Sequence, residues 1–111
     1  MSDEWNWTLF SEFVRLRSQL RTAEKEKNYQ EVLWLGMKII ELDKNAKFIG
    51  IVTAIFLRDM GNACVKLGDG AAAVKYLLAA KEKFVQQNND PAHWRRDIEL
   101  IDRTVRKLQG P

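Results

Sequence analysis

Apolar side chains recur every three or four residues along most of this chain, a spacing that places them on one face of an α-helix. The period-two alternation typical of β-strands is not found in the sequence. The pattern therefore predicts an all-α fold. Five helices are expected, at about residues 3–26, 29–42, 46–67, 71–87 and 91–109.

The third predicted helix is apolar on more than one face. Over its 22 or so residues, about 33 Å of helix, the apolar positions are too many for a single buried stripe. We therefore expect a central helix that is buried on two sides. Its apolar positions are Phe48, Ile49, Val52, Ile55, Phe56, Met60, Ala63, Cys64 and Leu67.

Small residues mark the expected contact between the third and fourth helices. Gly61 and Cys64 lie three positions apart on the third helix, and Ala73 and Ala80 lie two turns apart on the fourth. Small side chains allow two helix backbones to approach closely. Gly68-Asp69-Gly70 predicts a tight turn between the two helices. The inner face of the fourth helix is expected to carry Val74, Leu77, Leu78, Lys81 and Phe84.

Two residues of the second predicted helix need a reason for their position. Gly36 costs about 1 kcal/mol relative to alanine in a helix interior. We expect it to allow close packing against the first helix, with a functional hinge as the alternative. Trp34 lies beside the apolar stripe, and we expect it to be half-buried against a neighbouring helix. An exposed contact residue is the alternative for Trp34.

The last predicted helix begins at Asp90-Pro91, a capping residue followed by proline at the first helical position. Its apolar residues form one stripe, as expected of a helix that closes the exposed end of a stack. Apolar residues of the stripe are Trp94, Ile98, Ile101, Val105 and Leu108, and cations on the other faces are Arg95, Arg96, Arg103, Arg106 and Lys107.

A chain of 111 residues, 46% of them hydrophobic, suits one domain with a single core region. The predicted helices divide this domain into a first hairpin at about 3–42, a second hairpin at about 46–87 and a closing helix at about 91–109.

The second hairpin resembles one tetratricopeptide repeat (TPR), a family of helical hairpins that stack into peptide-binding solenoids. Met60-Gly61 is similar to the family's Leu-Gly pair, Leu67-Gly68-Asp69 to its turn, and Ala73 and Ala80 to its two alanines. The closing proline of the family is missing, because Val85 stands in its place. The resemblance implies two stacked hairpins and a capping helix.

A fainter copy of the motif precedes this hairpin. The segment at 28–32 resembles the turn and the start of a second repeat helix. Aligning Val32 with Ala73 puts equivalent positions 41 residues apart, against about 34 in the family. A generic five-helix bundle is the alternative architecture.

In TPR domains the first helix of each hairpin lines a concave groove that holds an extended peptide. Guanidinium, ammonium and amide groups can all donate hydrogen bonds to carboxylates, so the residues mapped onto this groove suit an acidic peptide. Arg58 and Asn62 resemble part of the family's carboxylate clamp, which draws on three repeats. The alternative is a solvated face with local pairs such as Arg21 with Glu24. The predicted groove residues are Arg17, Arg21, Arg58, Asn62 and Lys66.

The resemblance implies a non-enzymatic adaptor or scaffold that binds a segment of another protein. The alternative is a structural subunit that self-associates, as a homodimer or within a larger assembly. Trp5, Trp7 and Trp34 would give one end an aromatic surface of the kind found at interfaces. Nucleic-acid binding through surface arginines is a weaker alternative, because the net charge is only +3 and no nucleic-acid motif is present.

The sequence contains no motif that carries catalysis or holds a metal, such as HExxH, CxxC or a phosphate-binding glycine loop. Cys64 is expected to be buried as a small apolar group, and His93 to lie on the surface of the last helix. We therefore predict no enzymatic activity, no cofactor and no metal.

A cytoplasmic location is expected. The single cysteine cannot form an internal disulfide, and no apolar run is long enough to span a membrane. The start of the chain is acidic and lacks the features of a signal peptide.

Overall fold

The structure is a computed structural model that describes residues 7–45, 53–86 and 91–110, with the backbone alone for 91–93. Within these ranges it contains five α-helices and no strand, which confirms the predicted fold class. The helices are α1 (Trp7–Lys25), α2 (Tyr29–Asn45), α3 (Thr53–Leu67), α4 (Gly70–Gln86) and α5 (Pro91–Gln109).

The second helix continues for three residues beyond its predicted end at Leu42. Two side-chain hydrogen bonds hold the additional turn. Thr53 Oγ1 at the start of α3 donates to Asp43 Oδ2 at 2.9 Å, and the amide of Asn45 donates to the carbonyl of Glu41 at 3.1 Å. The expected starts of the first and third helices, at 3 and 46, and the expected end of the fourth at 87 lie outside the described residues.

The turn after α3 satisfies the last carbonyl groups of that helix. Gly68 has a φ of +81°, its amide donates to the carbonyl of Val65 at 3.1 Å, and the amide of Asp69 donates to that of Cys64 at 2.9 Å. This is the Schellman arrangement, in which glycine readily adopts the left-handed conformation. Asp69 Oδ1 then accepts a hydrogen bond from the amide of Ala72 at 3.1 Å and caps α4.

The turn after α1 has the same arrangement with a lysine in the place of glycine. Lys27 has a φ of +61°, its amide donates to the carbonyl of Glu24 at 3.1 Å, and the amide of Asn28 donates to that of Ala23 at 2.8 Å. Asn28 Oδ1 accepts from the amide of Glu31 at 3.3 Å and caps α2. The two turns are therefore equivalent at the same offset of 41 residues that relates the two helix starts.

The seam between α3 and α4 is closed by small residues, as predicted. A Cβ atom at Gly61 would lie 2.6 Å from Cγ of Leu77 and 3.3 Å from its backbone nitrogen, so only glycine fits there without movement. Cys64, Ala73 and Ala80 are buried as well.

Gly36 packs against α3, and the expectation of packing against the first helix is wrong. A Cβ atom at Gly36 would lie 2.5 Å from Cγ and 2.7 Å from Sδ of Met60. The space left by the missing side chain is thus occupied by a long residue of the central helix, which is itself buried.

The central helix belongs to two buried clusters, which confirms its expected burial on two sides. Phe56 and Ala63 of α3 join the cluster built with α1 and α2, and Ala54 and Leu57 join the cluster built with α4 and α5. The first cluster also contains Phe13, Leu16, Leu20, Ala23, Val32, Leu35 and Ile39, and the second Leu77, Ala80, Phe84, Ile101 and Val105.

Three residues that the sequence predicts on the inner faces of helices lie outside the buried core in the structure. Leu67 is 40% exposed because it ends α3 at the turn, and Leu78 is 44% exposed because it lies one residue off the buried stripe of α4. Lys81 does not pack in the core. Its Nζ lies 2.7 Å from Oδ1 of Asp102 and joins α4 to α5.

Each extensive packing contact joins two helices that follow one another in the chain. The molecule is consequently elongated, with extents of 52 × 33 × 19 Å. Short turns make α1 and α2, and α3 and α4, antiparallel. Across α2–α3 and α4–α5, later residues of one helix contact earlier residues of the next, as Asp43 contacts Thr53 and Phe84 contacts Trp94, whereas Lys81 contacts Asp102. Successive helices are therefore antiparallel, and α1, α3 and α5 run in one direction. Among the described residues no helix has the length and apolar character needed to cross a membrane.

The left-handed residue in the first turn gives a stability prediction. Lys27→Gly should raise the free energy of unfolding by about 0.5–1 kcal/mol, because glycine adopts a positive φ without the steric cost that lysine bears. Urea denaturation measures the change. The control is Lys25→Gly, two residues earlier and inside α1, which should lower stability by a similar amount. Equal effects of the two changes would contradict this view of the turn.

The α3–α4 seam gives a second prediction. Gly61→Ala should destabilise the protein by about 1–2 kcal/mol, because displacing Leu77 and its backbone outweighs the better helix propensity of alanine. Thermal and urea unfolding measure the loss. Gly70→Ala is the matched control, since the nearest atom to its added Cβ is Leu108 Cδ2 at 3.8 Å, an ordinary contact. A neutral or stabilising Gly61→Ala would show that the seam is not closely packed.

Candidate functional site

The face predicted as a groove on α1 adjoins the corresponding face of α3. Nη1 of Arg21 on α1 lies 2.7 Å from Oδ2 of Asp59 on α3 and 2.7 Å from Oε1 of Glu24. The same guanidinium group lies over the ring of Phe56, 5.7 Å from its centroid. Arg21 therefore links the two helices by a charge contact and a ring contact together.

A second arginine links α3 to α5. Nη1 of Arg58 lies 2.6 Å from Oδ1 of Asp97, and its Nη2 lies 3.4 Å from the remaining oxygen of Asp59. Opposite charges thus alternate across three helices that run in the same direction. We call this arrangement the charge ladder. Its members are Glu24, Arg21, Asp59, Arg58 and Asp97.

Asp59 is the central and most buried member of the charge ladder, with 6% of its side chain exposed. A buried carboxylate requires partners, and each of its oxygens has an arginine. Burial alone would lower the pKa of Arg21. The hydrogen bonds and negative charges of Glu24 and Asp59 together outweigh burial and raise that pKa above its ordinary value. The Arg21 guanidinium is therefore firmly charged.

The ladder changes the character of the predicted groove. Of the five predicted groove residues, Arg21 and Arg58 have their guanidinium groups bound to carboxylates of the chain itself. Local pairs of Arg21 with Glu24 and, less favourably, of Arg58 with Asp59 are open alternatives in the sequence, whereas the pairs between helices, Arg21 with Asp59 and Arg58 with Asp97, are not predicted by it. One signal was available, since Arg58 and Asp59 are the only charged residues between positions 53 and 64.

The other three predicted groove residues are exposed and carry hydrogen-bond donors. Among the described residues, no carboxylate lies within ion-pair distance of Arg17 or Lys66. Arg17 rests over the ring of Phe13, 5.4 Å from its centroid, and Asn62 lies one turn before Lys66 on α3. By helical rise from the level of the Arg21–Asp59 pair, the two cations are about 16 Å apart along the face, the reach of about five extended residues.

The aromatic residues predicted as an interface are largely exposed where they are described. Trp34 is 52% exposed, with Nζ of Lys38 3.8 Å from its ring centroid. The expected half-burial of Trp34 against another helix is thus replaced by the exposed alternative, because α3 contacts α2 at Gly36, on the far side of that helix. Trp7 is 70% exposed and makes an edge contact with Phe10. Trp5 lies outside the described residues.

The residues considered for catalysis were Cys64 and His93. Burial, together with the negative charge of Asp69, raises the pKa of the Cys64 thiol, which therefore stays protonated at neutral pH. The side chain of His93 lies outside the described residues. In the part of the chain that the structure describes, no three His, Cys, Asp or Glu side chains are grouped so that they could hold a metal ion.

No family model, curated protein or solved structure matches this chain significantly. The geometry of the described residues is therefore the basis for assigning a function.

The charge ladder gives a prediction for stability. Asp59→Asn should lower the free energy of unfolding by about 2 kcal/mol, because Arg21 and Arg58 lose a buried charged acceptor. Chemical denaturation checks the value. The control is Glu99→Gln, which removes the carboxylate of an exposed pair with Arg95 and should change stability by less than about 0.5 kcal/mol. If the two substitutions are equivalent, Asp59 does not anchor the ladder.

Proposed function

We propose that this protein is a non-enzymatic adaptor that holds an extended, acidic segment of another protein on the face shared by α1 and α3. The observation that carries the proposal is that Arg17, Asn62 and Lys66 are exposed on this face and that the two cations lack carboxylate partners in the described chain. The resemblance of the second hairpin to a TPR supports the same function, because such hairpins bind peptides.

The positions of paired and unpaired charges on the α1–α3 face indicate how the carboxylates of the ligand should be spaced. The centre of the face is nearly neutral, since the ladder pairs Arg21 and Arg58 with Asp59 and Asp97. Unpaired positive charge remains about one turn before the ladder on α1 and about two turns beyond it on α3. The ligand that fits best has carboxylates about five residues apart, with the amide group of Asn62 available to the backbone between them.

A nucleic acid fits this face less well. Its phosphates follow one another at about 3.4 Å along each strand, so a binding protein needs closely spaced free cations. Here the two central arginines are already bound to carboxylates. We further propose a cytoplasmic location, supported by the lone cysteine.

The function is tested by selection from a displayed library of random seven-residue peptides. The selected peptides should be rich in Asp and Glu, and fluorescence polarisation should show about tenfold or weaker binding to Arg17→Glu/Lys66→Glu, because two attractive charges become repulsive. Both substituted residues are exposed, so the fold should persist.

The matched control for this experiment is Lys75→Glu/Lys83→Glu. It reverses two exposed cations on α4, away from the α1–α3 face, and affinity should stay within about twofold. A selection without acidic enrichment, or equal loss of affinity in both double variants, would reject the assignment of the face.

Self-association is the second candidate function. It is favoured by exposed apolar side chains on the α1–α2 hairpin, where Trp7, Trp34 and Met37 are each more than half exposed. This surface is separate from the α1–α3 face, so the two functions do not exclude each other.

A further inference from the structure

A groove runs between α1 and α2 on the side of the hairpin that faces away from α3. Trp34 and Gly36 differ by about 200° around α2, so Trp34 points away from the helix that covers Gly36. On one side of the Trp34 ring the groove encloses about 450 Å³, and on the other side about 550 Å³. We call it the α1–α2 groove. It is built from Leu16, Trp34, Met37 and Leu42, with Glu12, Lys38, Glu41 and Asn45 at its edge.

The α1–α2 groove offers apolar surface and a net negative charge, because four glutamates line it against two cations, Arg15 and Lys38. Trp34 and Met37 are 52% and 56% exposed. Glu41 is exposed, and in the described part of the chain no cation lies within ion-pair distance of it or of Glu31, which lines the second depression. These two carboxylates are ten positions apart on α2, about 15 Å.

The opposite end of the stack presents the complementary surface. Arg96, Leu100, Arg103 and Lys107 recur at helical spacing on α5 and form its outward stripe, about 16 Å long. Leu100 is 46% exposed. None of the three cations has a carboxylate within ion-pair distance among the described residues.

The acidic residues of α5 explain why this outward stripe is so positive. Asp97 and Asp102 are turned inward, where they pair with Arg58 and Lys81. Glu99 pairs with Arg95 at the edge of the stripe. The carboxylates thus attach α5 to its own chain, and the remaining cations face outward around a single leucine.

We propose that the outward stripe of α5 in one copy of this chain docks into the α1–α2 groove of the next copy, head to tail. Leu100 would cover Met37 and replace the exposed ammonium of Lys38 on the Trp34 ring, and the cations of the stripe would approach Glu31 and Glu41. The occupant is a second copy because the stripe and the groove are about equally long, carry opposite charges and each expose apolar side chains. They also lie at opposite ends of one elongated molecule.

This contact is heterologous, since it joins two different surfaces. Unlike a two-fold dimer, such a contact leaves a free groove and a free α5 stripe after each addition, so assembly continues with concentration. It uses neither Arg17, Asn62 nor Lys66. Failure of self-assembly would therefore leave the proposed peptide-binding function untouched, and the reverse also holds.

The test is sedimentation equilibrium of the full chain up to about 1 mM, a range that detects weak interfaces. The weight-average mass should rise above the 12.9 kDa of one chain as concentration increases, and should fall when about 0.5 M NaCl screens the charges. A mass of 12.9 kDa at every concentration, or growth that salt does not weaken, would overturn the proposal.

Two blocked variants make the test specific. Arg96→Ser/Arg103→Ser removes the charge of the stripe without reversing it and keeps the groove, whereas Met37→Lys/Glu41→Lys blocks the groove and keeps the stripe. Each variant alone should remain at 12.9 kDa, and an equimolar mixture should form a dimer of about twice that mass and grow no further. Continued growth of either variant alone, or a mixture that stays monomeric, would reject the head-to-tail contact.

The controls separate loss of contact from loss of fold. All four substituted residues are exposed, so circular dichroism should match the wild type. Lys75→Glu/Lys83→Glu should assemble like the wild type, because these lysines lie on α4 outside both surfaces. If the stripe variant unfolds, Leu100→Gln replaces it, and if the groove variant unfolds, Glu41→Lys alone replaces it. Unchanged assembly of the replacement would also overturn the proposal.

Discussion

The position of the central helix α3 is fixed by two insertions, one that it makes into α2 and one that it receives from α4. Met60 projects from α3 into the space at Gly36 of α2, and Leu77 projects from α4 into the space at Gly61 of α3. Met60 and Gly61 are adjacent, so both insertions act at the same level of the helix. Protein interiors are packed closely enough that such a fit changes with a single methyl group. These two insertions set the height at which α3 meets both of its neighbours.

The charge ladder joins α3 to α1 and α5. Arg21 and Arg58 reach Asp59 and Asp97 because α3 lies between α1 and α5 at a fixed height. Removing a carboxylate as buried as Asp59 from water is unfavourable, and its ion pairs offset that penalty without a large net gain in stability. The ladder therefore contributes more to the relative orientation of α1, α3 and α5 than to the free energy of unfolding. A face whose three helices are already oriented needs less ordering when a ligand binds.

Local sequence patterns predicted the helices, the turn at Gly68 and the small-residue seam, because each is set by residues close together in the chain. The partner of Gly36 could not be predicted in this way, since a missing side chain shows that a space exists and not which helix fills it. The same limit applies to the site. Helical spacing places Arg21 on α1 and Arg58 on α3, but their acidic partners on other helices lie 38 and 39 positions away, beyond the reach of spacing rules.

The two hairpins, related by an offset of 41 residues, have equivalent turns but differ in how their helices pack. At the offset of 41 residues, Leu20 corresponds to Gly61 and Gly36 corresponds to Leu77, so large and small residues exchange helices. In the second hairpin the space on α3 is filled by its own partner α4. In the first hairpin the space on α2 is filled from α3, which belongs to the next hairpin. This exchange gives the stack a direction. Each filled space faces the interior, and none of the five described helices covers Trp34 and Met37 on the outer side of α2.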